Sequence, residues 1–444
     1  MSQRYLIFLI LGFAAILRIL LPVCSYFFAN NENLFYMFDS YRYVAVANEF
    51  LNNKRFYFNT VPELERTPAY PLLIVLCSFI HNRDIALVIA QCILSCFTIF
   101  LIYKISIELF NDIRIALIGS FFYSIEPLSI LYTSKIMTES LFTFLIMLFS
   151  YFLVLHLKSK KIKYIILSAL FLSFSVYTRP IALFLNLLIT LVFLFSKTKN
   201  KVKISLIFLL LSSSLISGWL IRNYVVANYI GFSSRIDKNI YFYNAAWIIA
   251  KKKNGNFYEE RNKRMKEILT IAKNFYNSNG FNQRRYYDYL RQEGSKIILD
   301  DLPLYFSLHF KGVIDTLLNP GATEYLRMFN FNYNKAYEIL GEYYITGAVG
   351  TLKKMFFECP KALVVYLLLD TLTFIYLFLV FFAVFKLRKN LNVLHLMLIL
   401  TACYFLFLGP HGTVEARFKH PFMPFICIFA GYGAGQLCKS NREL

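Results

Sequence analysis

Long apolar runs separated by short basic turns dominate this sequence and leave it few ways to fold. A helix needs about 20 apolar residues to cross a bilayer, because each residue rises ~1.5 Å through a hydrocarbon core about 30 Å thick. Runs of this order occupy residues 5–28, 84–108, 113–131, 136–157, 162–178, 180–196, 202–222, 361–385, 391–409 and 418–437. The first is too long for a signal-peptide core and no small-residue cleavage site follows it, so it reads as a retained span. Residues 68–80 are apolar but short and carry Pro68 and Pro71, which suits an interfacial or re-entrant piece. Composition agrees: 58% of the chain is hydrophobic and only 16% charged, against about 25% charged in a soluble domain. A disordered chain, a disulfide-stapled mini-domain and an ordinary cytosolic enzyme are excluded.

The formal charge of +21, from 47 Lys plus Arg against 26 Asp plus Glu, would point to nucleic acid in a soluble protein. Here much of it sits in short turns between apolar runs, where it sets topology. Lys158, Lys160, Lys161 and Lys163 follow the fourth run; Lys197, Lys199, Lys201 and Lys203 follow the sixth; Lys386, Arg388 and Lys389 follow the eighth; Lys439 and Arg442 lie in the tail. About ten spans with a cytoplasmic N-terminus put all four clusters on the cytoplasmic face, and shifting the count by one scatters them. The same count places two large segments outside, the 29–83 loop and residues 223–360. The latter is expected to be a mixed domain with amphipathic helices around 257–275 and 283–298. The eight cysteines form no CxxC pair, and most lie in apolar runs as buried thiols.

Ionisable residues recur at the outer ends of these spans: Asp39, Arg66, Glu126, Glu139, Arg179, Arg222, His411, Glu415 and Arg417. Convergence of such groups from separate loops is what a site between membrane and water needs. Each also has an ordinary explanation. Asp39 can be a helix cap, Glu139 a first-turn acid favoured by the helix dipole, and Arg179 and Arg417 interfacial anchors. Tyr70 and Pro71 can shape a turn. Asp370 lies inside the eighth span, where a carboxylate is costly and often functional. No Walker A, GxGxxG, HExxH or GxSxG sequence is present, and the six histidines do not cluster at metal-ligand spacing.

Several of these stretches resemble one family. Asp39 before a Tyr-containing, Ala-rich helix, then Arg66-Thr67-Pro68-Ala69-Tyr70-Pro71, is similar to the glycosyltransferase family 39 pattern of the GT-C class. Tyr123 to Ser140, with Glu126-Pro127 and Thr138-Glu139-Ser140, resembles that family's third and fourth spans. Tyr177-Thr178-Arg179-Pro180, Gly218 to Tyr224, and Glu415-Ala416-Arg417-Phe418 with Pro421 and Pro424 resemble later parts of it. The likeness covers most of residues 1–235 and 405–437. It departs at Ser40, where many relatives have a second acid, and so lends no support to a two-carboxylate or metal-binding site.

The resemblance implies an all-α polytopic membrane protein, a GT-C-like bundle of about ten transmembrane helices with an outer loop and a larger extracytoplasmic mixed domain. It divides the chain into an N-terminal catalytic module (1–222), the outer domain (223–360) and C-terminal helices (361–444). It implies transfer of a sugar from a polyprenyl-phosphate-linked donor to a lipid, glycan or protein acceptor, on the extracytoplasmic side of a plasma membrane, with inversion. Asp39 is the candidate general base. Arg66, Arg179, His411 and Arg417 are candidates to face the phosphate leaving group, and Glu139 and Tyr70 to line the substrate site. No metal ligand is assigned and no cofactor is named. Two rivals share a polytopic plan, a transporter or flippase and an oligosaccharide ligase or polymerase. Transporters place charges near the midplane on repeated broken helices, whereas these groups lie at span ends and no repeat is visible.

Overall fold

The computed structural model describes residues 5–29, 34–196, 200–277, 280–341, 343–409 and 415–440. The N-terminal part consists of α1 (Leu6–Ala29), α2 (Ser40–Asn53), α3 (Ala69–Cys77), α4 (Arg83–Phe110), α5 (Ile113–Ser124), α6 (Pro127–Thr133), α7 (Glu139–Ser159), α8 (Ile162–Thr178), α9 (Leu185–Phe195) and α10 (Lys201–Ala227). A minimal antiparallel hairpin, β1 (Tyr57–Phe58) with β2 (Val61–Pro62), lies between α2 and α3. Residues 223–360 comprise α11 (Arg235–Asn239), α12 (Ala246–Lys252), α13 (Phe257–Thr270), β3 (Tyr276–Asn277) paired with β4 (Gly280–Phe281), α14 (Gln283–Leu299), α15 (Leu302–Leu318), α16 (Ala322–Phe329), α17 (Tyr333–Gly341) and α18 (Tyr343–Glu358). Then come α19 (Pro360–Leu387), α20 (Val393–Leu408) and α21 (Met423–Ser440). Residues 223–360, expected to be mixed, are thus almost wholly helical where described.

Every apolar run forms helix, yet not every helix is a full span. Among the described residues six are long and apolar enough to cross a bilayer, and α5 with α6, bent by 55°, would make a seventh. Helix α8, the 180–195 segment and α20 are shorter; at ~1.5 Å per residue they fall short of a core about 30 Å thick. The short 68–80 run forms the nine-residue α3.

Local chemistry explains the turns. Asn82 caps α4 by accepting from the Ile85 amide at 3.1 Å, and Asn111 ends it in the left-handed region with φ 51°. Asp112 then caps α5 through the Arg114 amide at 2.9 Å. The bend between α5 and α6 arises where Pro127 cannot continue the hydrogen-bond ladder. Glu126 caps α6 through the amides of Leu128 (3.1 Å) and Ser129 (2.5 Å). Across the bend, buried Arg18 of α1 donates to the freed carbonyls of Tyr123 (3.2 Å) and Ser124 (3.0 Å), and to Ser95 and Ser129 hydroxyls. An arginine inside an apolar helix thereby satisfies backbone that lipid could not.

Helices α4, α5, α7 and α21 form the core, with α8 against α7, α10 against α8 and α9, and α19 against α21. Close approach depends on glycine. A Cβ on Gly431 would lie 2.6 Å from the Gly119 amide of α5, and one on Gly433 would collide with the Leu379 carbonyl of α19. Small residues at such crossings let membrane helices pack by dispersion where no hydrophobic force acts between them. Exposed Phe8, Ile16, Phe27, Phe374, Phe378 and Phe381 on α1 and α19 face outward, as lipid-facing surfaces do.

The basic turns gather at one end of the bundle. Lys158 pairs with Glu108 at 2.9 Å, and Lys439 with Asp112 at 3.1 Å. His395, near the start of α20, stacks on Phe110 at 5.8 Å. Lys197 and Lys199 lie outside the described residues.

Candidate active site

The opposite end holds Asp39. It occupies the N-cap position of α2, but its side chain makes no capping bond. Both carboxylate oxygens instead meet guanidiniums: Oδ1 accepts from Arg66 at 2.6 Å and Oδ2 from Arg417 at 3.0 Å. The ordinary cap explanation therefore fails for this residue. Three chain segments, 378 residues apart at their extremes, meet on one carboxylate.

Neighbouring bonds fix these segments. The amide of Ile136 donates to the Phe35 carbonyl at 2.8 Å, and Lys135 Nζ donates to the Leu34 carbonyl at 2.8 Å, tying the first loop to the approach of α7. Thr67 Oγ1 donates to the Thr178 carbonyl at 3.0 Å, which joins the Arg66 segment to the end of α8. Arg179 follows there, and its Nη1 donates to Glu139 at 2.9 Å. The Glu139 carboxylate is near enough to act electrostatically on Arg417. Arg66 lies over the Tyr43 ring at 4.8 Å, and Tyr43 rests edge-on against Tyr70 at 5.2 Å.

Of the residues singled out in the sequence, Asp39, Arg66 and Arg417 are in direct contact, and Arg179 with Glu139 forms an adjacent pair. Tyr70 is fully buried and donates to Gln91 at 2.8 Å; it buttresses Tyr43 and does not line open space. His411 lies outside the described residues. Glu126 is a helix cap, and Arg222 donates to the backbone carbonyls of Glu63 (2.6 Å) and Phe56 (2.7 Å).

A second charge network beside Arg66 escaped the sequence reading. Glu65 accepts from Arg42 at 2.6 Å, Arg235 at 2.9 Å and Lys238 at 2.5 Å. Glu63 takes Arg42 in a two-pronged pair at 2.8 and 3.0 Å and also accepts the amides of Glu65 and Arg66. Buried His420, whose Nδ1 lies 2.9 Å from Thr143 Oγ1, was missed too.

Burial alone would raise the Asp39 carboxyl, but the Arg66 guanidinium, then Arg417 and Arg235, hold it well below the usual range. Burial likewise works to raise Glu65, yet Lys238, Arg42, Arg66 and Arg235 push it far down. Burial pulls Lys238 down, against Glu65. Lys135 is lowered by burial to about 8. Both acids are therefore carboxylates at neutral pH. The Nε atoms of Arg66 and Arg417 make no hydrogen bond among the described residues, although Arg417 Nε lies against the Glu415 carboxylate at 2.6 Å. That contact is one of charge without hydrogen-bond alignment. No group of three or more His, Cys, Asp or Glu side chains gathers as a metal site among the described residues.

Carboxylate and guanidiniums at the end of a helical membrane bundle are the setting in which solved structures become informative. Archaeal oligosaccharyltransferase AglB from Archaeoglobus fulgidus, in complex with an inhibitory peptide and a dolichol-phosphate, aligns over 99% of this chain and 50% of its own, with TM-score 0.56 and 13% identity. The chain has the GT-C fold. A second oligosaccharyltransferase structure from Archaeoglobus fulgidus, tethered to an acceptor peptide containing an NVT sequon, gives TM-score 0.52 and 13% identity over 98% of this chain and 50% of that one. The chain thus spans about half the length of these oligosaccharyltransferases. ArnT from Cupriavidus metallidurans bound to undecaprenyl phosphate aligns over 96% of this chain and 78% of its own, at 11% identity and a TM-score of 0.37. In sequence, residues 65–221 match the dolichyl-phosphate-mannose-protein mannosyltransferase family. No curated protein gives a significant sequence match. The matched stretch begins at Glu65 and contains Arg66, Glu139 and Arg179 of the site.

Proposed function

We propose that this chain is a glycosyltransferase that moves a sugar from a polyprenyl-phosphate-linked donor to an acceptor on the extracytoplasmic face of a plasma membrane, with both termini cytoplasmic. The observation that carries this reading is the Asp39 carboxylate held between Arg66 and Arg417. The gathering of basic turns at the other end supports the orientation, since short basic loops stay in the cytoplasm.

The chemistry follows from the groups present. A polyprenyl phosphate leaves as an anion and needs no proton from an acid, so fixed cations facing it lower the barrier. Arg66 and Arg417 fit that task, because guanidinium forks match phosphate oxygens. Arg66 Nε makes no hydrogen bond among the described residues, whereas Arg417 Nε lies against the Glu415 carboxylate. At rest Asp39 is a weak base, since its guanidinium neighbours hold its pKa low. Donor phosphate entering the clamp competes for the same guanidiniums, which frees Asp39 and makes it more basic. It then takes the proton from the acceptor hydroxyl as that oxygen attacks the anomeric carbon. A single displacement inverts the anomeric centre. Arg179, fixed by Glu139, supplies further positive potential.

The test is donor turnover by purified protein, given a panel of labelled undecaprenyl-phosphate sugars and a crude envelope acceptor extract. The reading expects consumption of one donor and a product of inverted configuration. Failure to consume any donor sinks the polyprenyl-phosphate-sugar transferase reading in favour of transport or ligation; a retained configuration sinks the single displacement.

A further inference from the structure

A cleft of about 420 Å³ opens on the outer region, between the segment that ends in Phe275 and the first turns of α14. This volume is within the range of small-ligand sites. Tyr289 supplies aromatic surface beside the buried Phe275, with ring centroids 5.6 Å apart. Asn274 and Gln292 add side-chain amides, and Arg284 and Arg285 add guanidiniums. Planar amides and guanidiniums present paired hydrogen-bonding atoms, which match vicinal hydroxyls. Aromatic rings offer an apolar face to the C–H side of a sugar ring while tolerating water at their edges.

The charges in the cleft are unevenly paired. Asp288 is shared between Arg284 at 3.5 Å and Arg291 at 3.8 Å. Arg285 is exposed and makes no ion pair among the described residues. One cation is therefore left facing the opening, which favours a carboxylate over a neutral chain.

The cleft also adjoins the proposed reaction site through structure. Gln283, at the start of α14, donates to the Pro62 carbonyl at 2.9 Å, directly before Glu63 and Glu65. Tyr287 of α14 packs with Leu64 in one apolar cluster, and Tyr286 and Tyr289 border it. The helix that lines the cleft thus also touches the Pro62–Leu64 segment, which leads into the Glu63–Arg66 network.

We infer that this cleft is a subsite for an acidic glycan, which serves as the acceptor; the acceptor role rests on the proposed function, whereas the binding does not. The test uses the full chain in lipid nanodiscs, titrated by saturation-transfer NMR with α-1,4-tetragalacturonate and with its fully methyl-esterified, neutral counterpart. Wild type should bind the acid form more tightly than the ester. Arg285→Gln, at an exposed position that the fold does not need, should weaken the acid form roughly tenfold and leave the ester unchanged. Tyr289→Leu should weaken both probes. The inference is overturned when neither probe binds, when both variants bind like wild type, or when Asp39→Asn alters binding and Arg285→Gln does not. Glycan binding without sugar transfer to any acceptor would keep the cleft and remove the enzyme reading.

Discussion

The two ends of the bundle are both rich in charge and use it in opposite ways. At one end Lys158, Lys160 and Lys439 sit at helix ends, exposed or in single surface pairs. At the other, Asp39, Glu65, Arg66 and Arg417 are largely withdrawn from water and linked into shared networks. Exposed pairs contribute about 0–1 kcal/mol and are readily replaced. A buried charge that loses its partner costs several times more. Cost of this kind is tolerated where a site needs preorganised charge. Charge density therefore does not mark the site; charge withdrawn from water does.

Four experiments sharpen that contrast, in order of expected effect. Arg66→Gln removes a guanidinium from Asp39 and from the phosphate it would face, so kcat should fall on the order of 10²-fold or more; turnover within a factor of two of wild type would make the clamp merely structural. Gly433→Val drives a side chain into the Leu379 carbonyl. It should lower stability by roughly 1–3 kcal/mol, read as a drop in Tm of purified protein, with the site's chemistry untouched in the fraction that folds.

Lys135 tests the boundary between the two behaviours. Its pKa is lowered to about 8 from 10.5 by burial. Between pH 8 and 10.5 the unfolded chain binds the proton and the folded chain does not, so stability rises with pH across this window, by up to about 3 kcal/mol. Below pH 8 both states are protonated and the slope vanishes. Lys135→Met should flatten Tm between pH 8 and 10.5, and an unchanged slope would contradict the assignment. Smallest of all, Lys158→Ala at the basic end should shift stability by no more than about 0.5 kcal/mol and leave turnover alone.

Much of this was legible in the sequence, for a physical reason. Apolar run length and basic turns follow from the bilayer, which acts on each segment independently. Every run became a helix, and Asp39, Arg66 and Arg417 stood out as ionisable residues close to apolar runs. What escaped depends on tertiary partners. Arg18 lies in an apolar run, and its purpose is visible only with the Tyr123 and Ser124 carbonyls freed by the bend at Pro127. Glu65 stood in plain view beside Arg66, but its partners Arg235 and Lys238 come from some 170 residues away. Glu126 looked like a site acid and is a cap, because Pro127 opens a new helix there. The 162–178, 180–196 and 391–409 runs are counted as spans in the sequence, and the helices there are shorter than the about 20 residues a crossing needs.

The most direct test of the clamp is Asp39→Asn, assayed separately for binding of undecaprenyl phosphate and for sugar transfer. Asparagine keeps the shape but cannot hold two guanidiniums or accept a proton as a base. The account predicts that phosphate binding survives or tightens, because Arg66 and Arg417 no longer share a carboxylate, while transfer falls by about 10²–10⁴-fold. Transfer at the wild-type rate, or loss of phosphate binding together with transfer in a protein of unchanged Tm, would contradict it.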